Sequence, residues 1–134
     1  MPDFSRDATK STPRIFFDAE NHVLEISGES YPENTAEFYG PLFTWLDKRL
    51  DGVGDGRFTV NVELLYFNSS SSKILMNLFD RLEAAAENGG SVVVNWIYSR
   101  ENENSPEYGA EFKEDLTALE FNLVEKAEDN PSPS

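Results

Sequence analysis

The sequence predicts one α/β domain, with a mixed and mostly parallel sheet of about five strands and three helices in the order β-β-α-β-α-β-α-β. Two observations support this fold class. Short segments in which every second residue is apolar, typical of strands, alternate with longer segments in which apolar residues recur every three or four positions, as in helices. In addition, a chain of 134 residues has the size of one domain. Alternating strands and helices favour right-handed crossovers and a parallel sheet.

Five segments have the pattern of strands. Residues 14–18 and 23–27 are separated by a polar turn, which predicts a hairpin at the start of the sheet. Apolar residues alternate through residues 58–67, as in a strand with one buried face. Residues 92–98 begin with three consecutive valines, which is typical of a central strand buried on both faces. Residues 121–125 form the last predicted strand.

Three helices are predicted between these strands, over residues 35–50, 73–86 and 105–119. The first begins after Asn34, which with an acidic residue three positions later resembles a capping box. Its interior contains Pro41, which cannot donate a backbone hydrogen bond. We therefore expect this helix to be kinked, or to start again, at Pro41.

The two ends of the chain have the composition of tails. Residues 1–12 are polar, and residues 127–134 are acidic and rich in proline and serine. Neither segment could bury enough apolar surface to offset the entropy lost on ordering. The folded domain is therefore expected to span residues 13–126, between a flexible N-terminal tail and a disordered C-terminal tail.

The composition argues against several classes of function. The chain has 11 basic and 25 acidic side chains and a formal net charge of −14, and such a charge repels nucleic acids and anionic membrane surfaces. We therefore expect no nucleic-acid partner and no direct membrane binding. The sequence has no cysteine and no apolar segment near the ~20 residues that a membrane helix needs. A cytoplasmic protein is expected.

Motifs for catalysis are missing from the sequence. The only histidine, His22, lies in the predicted hairpin turn, and the lack of cysteine excludes Cys–His pairs and most zinc sites. Glycine-rich phosphate-binding motifs and the serine-hydrolase motif are also absent. The strongest remaining argument for an enzyme is an acidic cluster that could hold Mg²⁺. Its members are Glu101, Glu103, Glu107, Glu111, Glu114 and Asp115. Their spacing is typical of a solvated helix face, so we predict no enzyme, no metal and no cofactor.

The most unusual segment runs from Tyr66 to Lys73 and contains four consecutive serines. It leaves the carboxyl end of a central strand and enters a helix, which is where open α/β sheets place their functional sites. Unpaired backbone N–H groups and the helix dipole at such a position favour an anion, including a phosphorylated serine. One serine is enough to cap a helix. The segment therefore indicates either a cap followed by loop residues or a phosphoserine switch.

Three motifs of the chain resemble the SiaC-type regulatory phosphoproteins of bacteria. The motifs are Val23-Leu24-Glu25-Ile26-Ser27-Gly28-Glu29-Ser30-Tyr31-Pro32-Glu33-Asn34, Tyr66-Phe67-Asn68-Ser69-Ser70-Ser71-Ser72-Lys73 and Val94-Asn95-Trp96. The resemblance covers about residues 12–126. It implies a STAS-like α/β sandwich, similar to the anti-sigma-factor antagonists that carry a phosphoacceptor between a strand and a helix.

The resemblance also implies a partner-switching circuit. A cognate Ser/Thr kinase phosphorylates the domain, and a PP2C-type phosphatase removes the phosphoryl group. The unphosphorylated form binds and activates a diguanylate cyclase, which raises cyclic di-GMP and promotes biofilm formation or aggregation.

The family pattern places the acceptor directly after the asparagine, which corresponds to Ser69 here, with Ser70 and Ser71 as alternatives. The interface with the kinase and the other partners is expected around this acceptor. It comprises Phe67, Asn68, Ser69, Ser70, Ser71, Ser72 and Lys73. Two other functions stay open on the sequence. One is a STAS-like antagonist that sequesters an anti-sigma factor, and the other is a small metal-dependent enzyme that uses the acidic cluster.

Overall fold

The computed structural model of the protein describes residues 4–53, 57–102 and 104–126. These residues form six strands and three helices around one hydrophobic core. The strands are β1 Ser5–Arg6, β2 Arg14–Asp18, β3 Val23–Ser30, β4 Arg57–Phe67, β5 Ser91–Ser99 and β6 Glu120–Lys126. The helices are α1 Thr35–Val53, α2 Ser69–Glu87 and α3 Ser105–Glu114. None of these helices is long and apolar enough to cross a membrane.

All six strands belong to one sheet, in which they follow each other in chain order. The pairs β1–β2 and β2–β3 are antiparallel, and the pairs β3–β4, β4–β5 and β5–β6 are parallel. The prediction of a mixed and mostly parallel sheet that starts with a hairpin is therefore confirmed. Each parallel strand lies beside the preceding one, and the strand–helix–strand connections between parallel strands are right-handed. The three helices therefore pack on the same face of the sheet.

The helix-covered face carries the core, and the opposite face is more polar. Every second residue of the strands is buried under the helices, as in β4, where Phe58, Val60 and Val62 are fully buried. On the other face a row of amides crosses three parallel strands. Asn95 Nδ2 donates to Asn61 Oδ1 over 2.8 Å, and Asn122 Nδ2 donates to Asn95 Oδ1 over 3.0 Å. This row satisfies polar side chains that water reaches only in part.

The first strand lies in the segment that was predicted to be a tail. Ser5 and Arg6 pair with β2, and the backbone N–H of Phe17 donates to the carbonyl of Phe4 over 2.9 Å. The Phe4 ring packs on Trp45, with 5.5 Å between ring centroids. This aromatic contact holds a mostly polar segment at the sheet edge, so the predicted N-terminal tail, residues 1–12, includes a short strand. The predicted C-terminal tail, residues 127–134, lies outside the described residues.

The three helices differ from the predicted ones in their continuity or in their end points. α1 is one uninterrupted helix that does not start again at Pro41, and the residues near the proline, Tyr39 and Leu42, are both buried in the core. α2 begins four residues earlier than predicted and includes all four serines. α3 ends at Glu114, and Leu116 fills the core from the loop that follows.

One buried carboxylate attaches the loop between α3 and β6 to α2. Glu83 of α2 accepts hydrogen bonds from the backbone N–H groups of Thr117, Ala118 and Leu119, at distances between 2.9 and 3.1 Å. The Thr117 hydroxyl donates to the same carboxylate over 3.1 Å. Burial raises the pKa of Glu83, but the backbone and hydroxyl hydrogen bonds lower it further, so the pKa lies below its ordinary value.

We expect Glu83→Gln to lower the free energy of unfolding at pH 7 by about 2 kcal/mol, because an amide cannot accept from all of these donors. A carboxyl whose folded pKa is depressed stabilises the protein fully above its unfolded pKa, and this contribution is lost as the pH falls through the folded pKa. The difference between wild type and variant should therefore shrink as the pH falls below the ordinary pKa of 4.5. Chemical denaturation at a series of pH values measures it, with Glu87→Gln as an exposed control. A difference that does not change with pH contradicts the assigned role.

Candidate functional site

The serine segment lies where β4 ends and α2 begins, at the carboxyl edge of the sheet. Asn68 separates the two elements and is the N-cap of α2, with an extended backbone at φ −90 and ψ −179. Its Oδ1 accepts from the Ser71 N–H over 2.9 Å. Its own N–H donates to the Ser30 carbonyl at the end of β3 over 3.1 Å. The cap is therefore an asparagine, and none of the four serines is needed for that role.

Three buried hydroxyl groups join the start of α2 to β3 and α1. Ser71 Oγ donates to the Ser30 carbonyl over 2.9 Å and lies 2.7 Å from Ser30 Oγ. Ser30 Oγ lies 2.6 Å from Tyr39 OH. Since Ser71 donates to the carbonyl, Ser30 donates to Ser71 and Tyr39 donates to Ser30, so each hydroxyl proton has an acceptor. Burial raises the pKa of Tyr39 to about 12, although the hydrogen bond with Ser30 acts in the opposite direction.

The four serines differ in accessibility because the helix turns between them. Ser71 is only 1% exposed and uses its hydroxyl in this buried network. Ser69 and Ser70 are exposed, and Ser72 is half-buried. Within the described residues the backbone N–H groups of Ser69 and Ser70 have no protein acceptor. Two exposed hydroxyls therefore lie beside two free N–H groups at the positive end of the helix dipole.

Four large apolar side chains are exposed around this helix start. Leu65 is 60% exposed, Tyr66 54%, Met76 50% and Tyr108 46%. The register between β3 and β4 skips Leu65, since Gly28 pairs with Leu64 and the next residue of β3 pairs with Tyr66. Leu65 already lies on the face opposite the core by the alternation of β4. The bulge interrupts that alternation, so Tyr66, which would otherwise face the core, is exposed. The sequence offered one signal for the bulge, the adjacent pair Leu64-Leu65.

The predicted interface residues divide into an inner and an outer group. Phe67 points inward, and its ring lies 5.3 Å from Tyr108 and 5.9 Å from Trp96 between centroids. Trp96 Nε1 in turn donates to the Ser105 carbonyl over 2.9 Å, which fixes the start of α3. Phe67 therefore supports the site from below, while Ser69, Ser70 and Lys73 face solvent.

The acidic cluster has the arrangement of a solvated surface. The described members Glu101, Glu107, Glu111, Glu114 and Asp115 are all exposed. Among the described residues no group of three or more His, Cys, Asp or Glu side chains is placed to hold a metal ion. Glu103 lies outside these residues, so the absence of a metal site stays a prediction.

Comparison with known proteins shows the family to which the chain belongs. The family model described as SiaC family regulatory phosphoprotein matches residues 6–126. The chain belongs to the SiaC family of regulatory phosphoproteins. An uncharacterised relative from Pseudomonas aeruginosa is 38% identical over 117 residues, which cover 87% of this chain and 92% of that protein.

Two solved SiaC structures from Pseudomonas aeruginosa have the same fold. Apo-SiaC is 33% identical, with a TM-score of 0.82 over 92% of this chain and 99% of that chain. The second is a complex of the diguanylate cyclase SiaD with its activator SiaC, and its matching chain is 35% identical, with a TM-score of 0.86 over 92% of this chain and 100% of that chain. The family resemblance and the α/β fold class are both confirmed.

The cap predicts a measurable effect on stability. Asn68→Ala removes the acceptor of the Ser71 N–H, and we expect the free energy of unfolding to fall by about 1 kcal/mol. Asn68→Asp keeps a side-chain oxygen at the helix start and should retain most of the wild-type stability. Denaturant unfolding of the three proteins measures both effects. Equal losses in the two variants would show that the side-chain acceptor is not what stabilises this turn.

Proposed function

We propose that this protein is a phosphorylation-controlled partner switch whose acceptor is Ser69. The proposal is supported mainly by one observation, the exposure of Ser69 and Ser70 in a helix start whose cap and buried contacts are supplied by other groups. Ser71 is a poor acceptor, because a kinase could reach its hydroxyl only after the buried network opens. Ser69 is favoured over Ser70 because it directly follows Asn68, as in the family pattern.

The unphosphorylated form binds and activates a diguanylate cyclase and so raises cyclic di-GMP. This part of the proposal is supported by the structural similarity to SiaC, the activator in the complex with the cyclase SiaD. A cognate Ser/Thr kinase adds the phosphoryl group and a PP2C-type phosphatase removes it. The protein itself acts in the cytoplasm by binding and is not an enzyme. This agrees with the surface around the start of α2, where the exposed groups are mainly hydroxyls and apolar side chains.

Local charge is the proposed mechanism of the switch. A phosphoryl group adds about −1.5 to −2 charges, and the free N–H groups of Ser69 and Ser70 can donate hydrogen bonds to its oxygens without unwinding α2. Lys73 lies one turn further along the helix and can approach the same phosphate. A cyclase that covers this surface would have to desolvate the dianion, which costs several kcal/mol unless a basic group meets it. The unmodified hydroxyl has no such cost.

The acceptor can be identified by mass spectrometry after incubation with the kinase and ATP. We expect the phosphoryl group on Ser69 of the wild type. After the same treatment Ser69→Ala should still bind the cyclase, whereas Ser70→Ala, the matched control, should lose binding as the wild type does. Ser69→Asp should weaken binding by less than the true phosphate, because it carries less charge. Modification confined to Ser70 or Ser72 contradicts the assignment of the acceptor.

Phosphorylation should change the surface and leave the fold as it is. We expect affinity for the cyclase to fall roughly a hundredfold. This corresponds to a desolvation cost of about 3 kcal/mol, since each 1.4 kcal/mol changes the affinity by a factor of about ten. Amide chemical shifts of phosphorylated and unmodified protein should differ only near the acceptor, over residues 66–75. Shifts that spread through the sheet would instead show a conformational change, and unchanged affinity would show that the cyclase binds elsewhere.

A further inference from the structure

A groove between α2 and α3 begins beside the serine turn and continues along both helices. Phe79, Phe112 and Leu116 form its floor, and the half-exposed Met76 and Tyr108 form its sides. Its volume is about 120 Å³, close to the ~150 Å³ of apolar cavities that bind a benzene ring. One large apolar side chain of another molecule therefore fits this groove.

The two ends of the groove differ in charge. α2 and α3 both follow parallel strands, so they run in the same direction and begin at the same edge of the sheet. Ser72 and Tyr108 line the end near that edge, which is uncharged. Asp80 and Asp115 line the opposite end, with Glu111 between the two ends. Asp115 is also the C-cap of α3, where the helix dipole adds partial negative charge.

These three carboxylates have no basic partner in the part of the chain that the structure describes. The ion pairs among the described residues involve other groups, and Asp80, Glu111 and Asp115 are all exposed. A ligand that fits both ends of the groove must therefore combine an apolar side chain with positive charge. This requirement argues against a second copy of the chain, whose formal net charge is −14.

The helical repeat connects this groove to the proposed acceptor. Ser69, Ser72, Met76 and Asp80 are spaced by three, four and four positions, so they lie along one face of α2. Ser69 extends the uncharged end of the groove. Asp80 follows Ser69 by eleven positions, which is about 16 Å along the helix axis. This separation exceeds the Debye length of ~8 Å at physiological salt.

Resting on the proposed function, we infer that this groove binds a segment of the diguanylate cyclase in which a bulky apolar side chain is followed by lysine or arginine side chains. The apolar side chain lies between Met76 and Tyr108, and the basic side chains lie along Glu111, Asp80 and Asp115. A phosphate on Ser69 then meets the apolar part of the segment, where the cyclase supplies no cation to offset its desolvation. The basic side chains beside Asp80 and Asp115, at the far end of the groove, are too far away to attract it.

Calorimetric titration of the purified cyclase with the unphosphorylated protein tests the inference. Met76→Asp places a charge in the apolar part of the groove and should weaken binding about tenfold or more. Ala84→Asp adds the same charge on an exposed position of α2 outside the groove and should stay within about twofold of wild type. Circular dichroism verifies that both variants are folded, which is expected because neither residue is in the core.

Charge reversal tests the acidic end. Glu111→Lys should weaken binding at low salt and reduce its salt dependence, because a charge contact to a basic side chain becomes a repulsion. Glu87→Lys is the matched control, since it changes the net charge equally on an exposed position outside the groove. Equal effects of Glu111→Lys and Glu87→Lys on binding would show that only the net charge of the protein matters and not a contact at the acidic end of the groove. That result would overturn the inference.

Two further outcomes separate this inference from the proposed function. Wild-type affinity in Met76→Asp, together with slower phosphorylation by the kinase, would mean that the groove binds the kinase, and the inference would be wrong while the switch stands. Failure of the unphosphorylated wild type to bind the cyclase would overturn the proposed function, and the inference with it. Loss of cyclase binding in Met76→Asp alone, with phosphorylation of Ser69 unchanged, supports both.

Discussion

The attachment of the α2 start to the end of β3 determines which serines face the solvent. The Ser30 carbonyl uses both lone pairs, one for the N–H of Asn68 and one for the hydroxyl of Ser71. These bonds fix the rotation of the first helical turn relative to the sheet. Because successive residues of a helix are rotated by roughly 100°, a buried Ser71 leaves Ser69 and Ser70 outside. The accessibility of the proposed acceptor thus depends on the hydroxyl of Ser71, which is itself buried in the folded protein.

The strand order of the sheet explains why so much of the candidate interface lies at one edge. Parallel strands added in chain order place the starts of α2 and α3 side by side at the carboxyl edge. Tyr108, in the first turn of α3, therefore reaches the ring of Phe67 at the end of β4. A doubly wound sheet, with helices on both faces, would separate these elements. In this fold the proposed phosphoacceptor and the apolar groove share one surface without any special loop.

Hydrophobic periodicity predicted the fold class well, because it reports directly which residues face the core. It found every strand of the core and every helix, and the serine segment was recognised as the most unusual feature of the chain. The missed features are decided by single contacts that periodicity does not report. β1 depends on the packing of Phe4 against Trp45, and the early start of α2 depends on the amide of Asn68. The exposed Tyr66 results from a bulge, and the acidic groove requires two helices whose spacing only the tertiary structure defines.

The charge of the whole chain cannot itself operate the proposed switch. A phosphoryl group adds about −1.5 to −2 charges to a chain whose formal net charge is already −14, so the long-range field that approaching proteins meet changes little. At physiological salt, moreover, the added charge is screened within about 8 Å. A modification on Ser69 therefore acts only on groups that contact the first turn of α2. For such a switch to separate the phosphorylated from the unmodified form, the partner must place apolar groups against the first turn of α2 and keep its cations away from that turn. The α2–α3 groove has the complementary arrangement, with an uncharged end beside Ser69 and carboxylates at the far end.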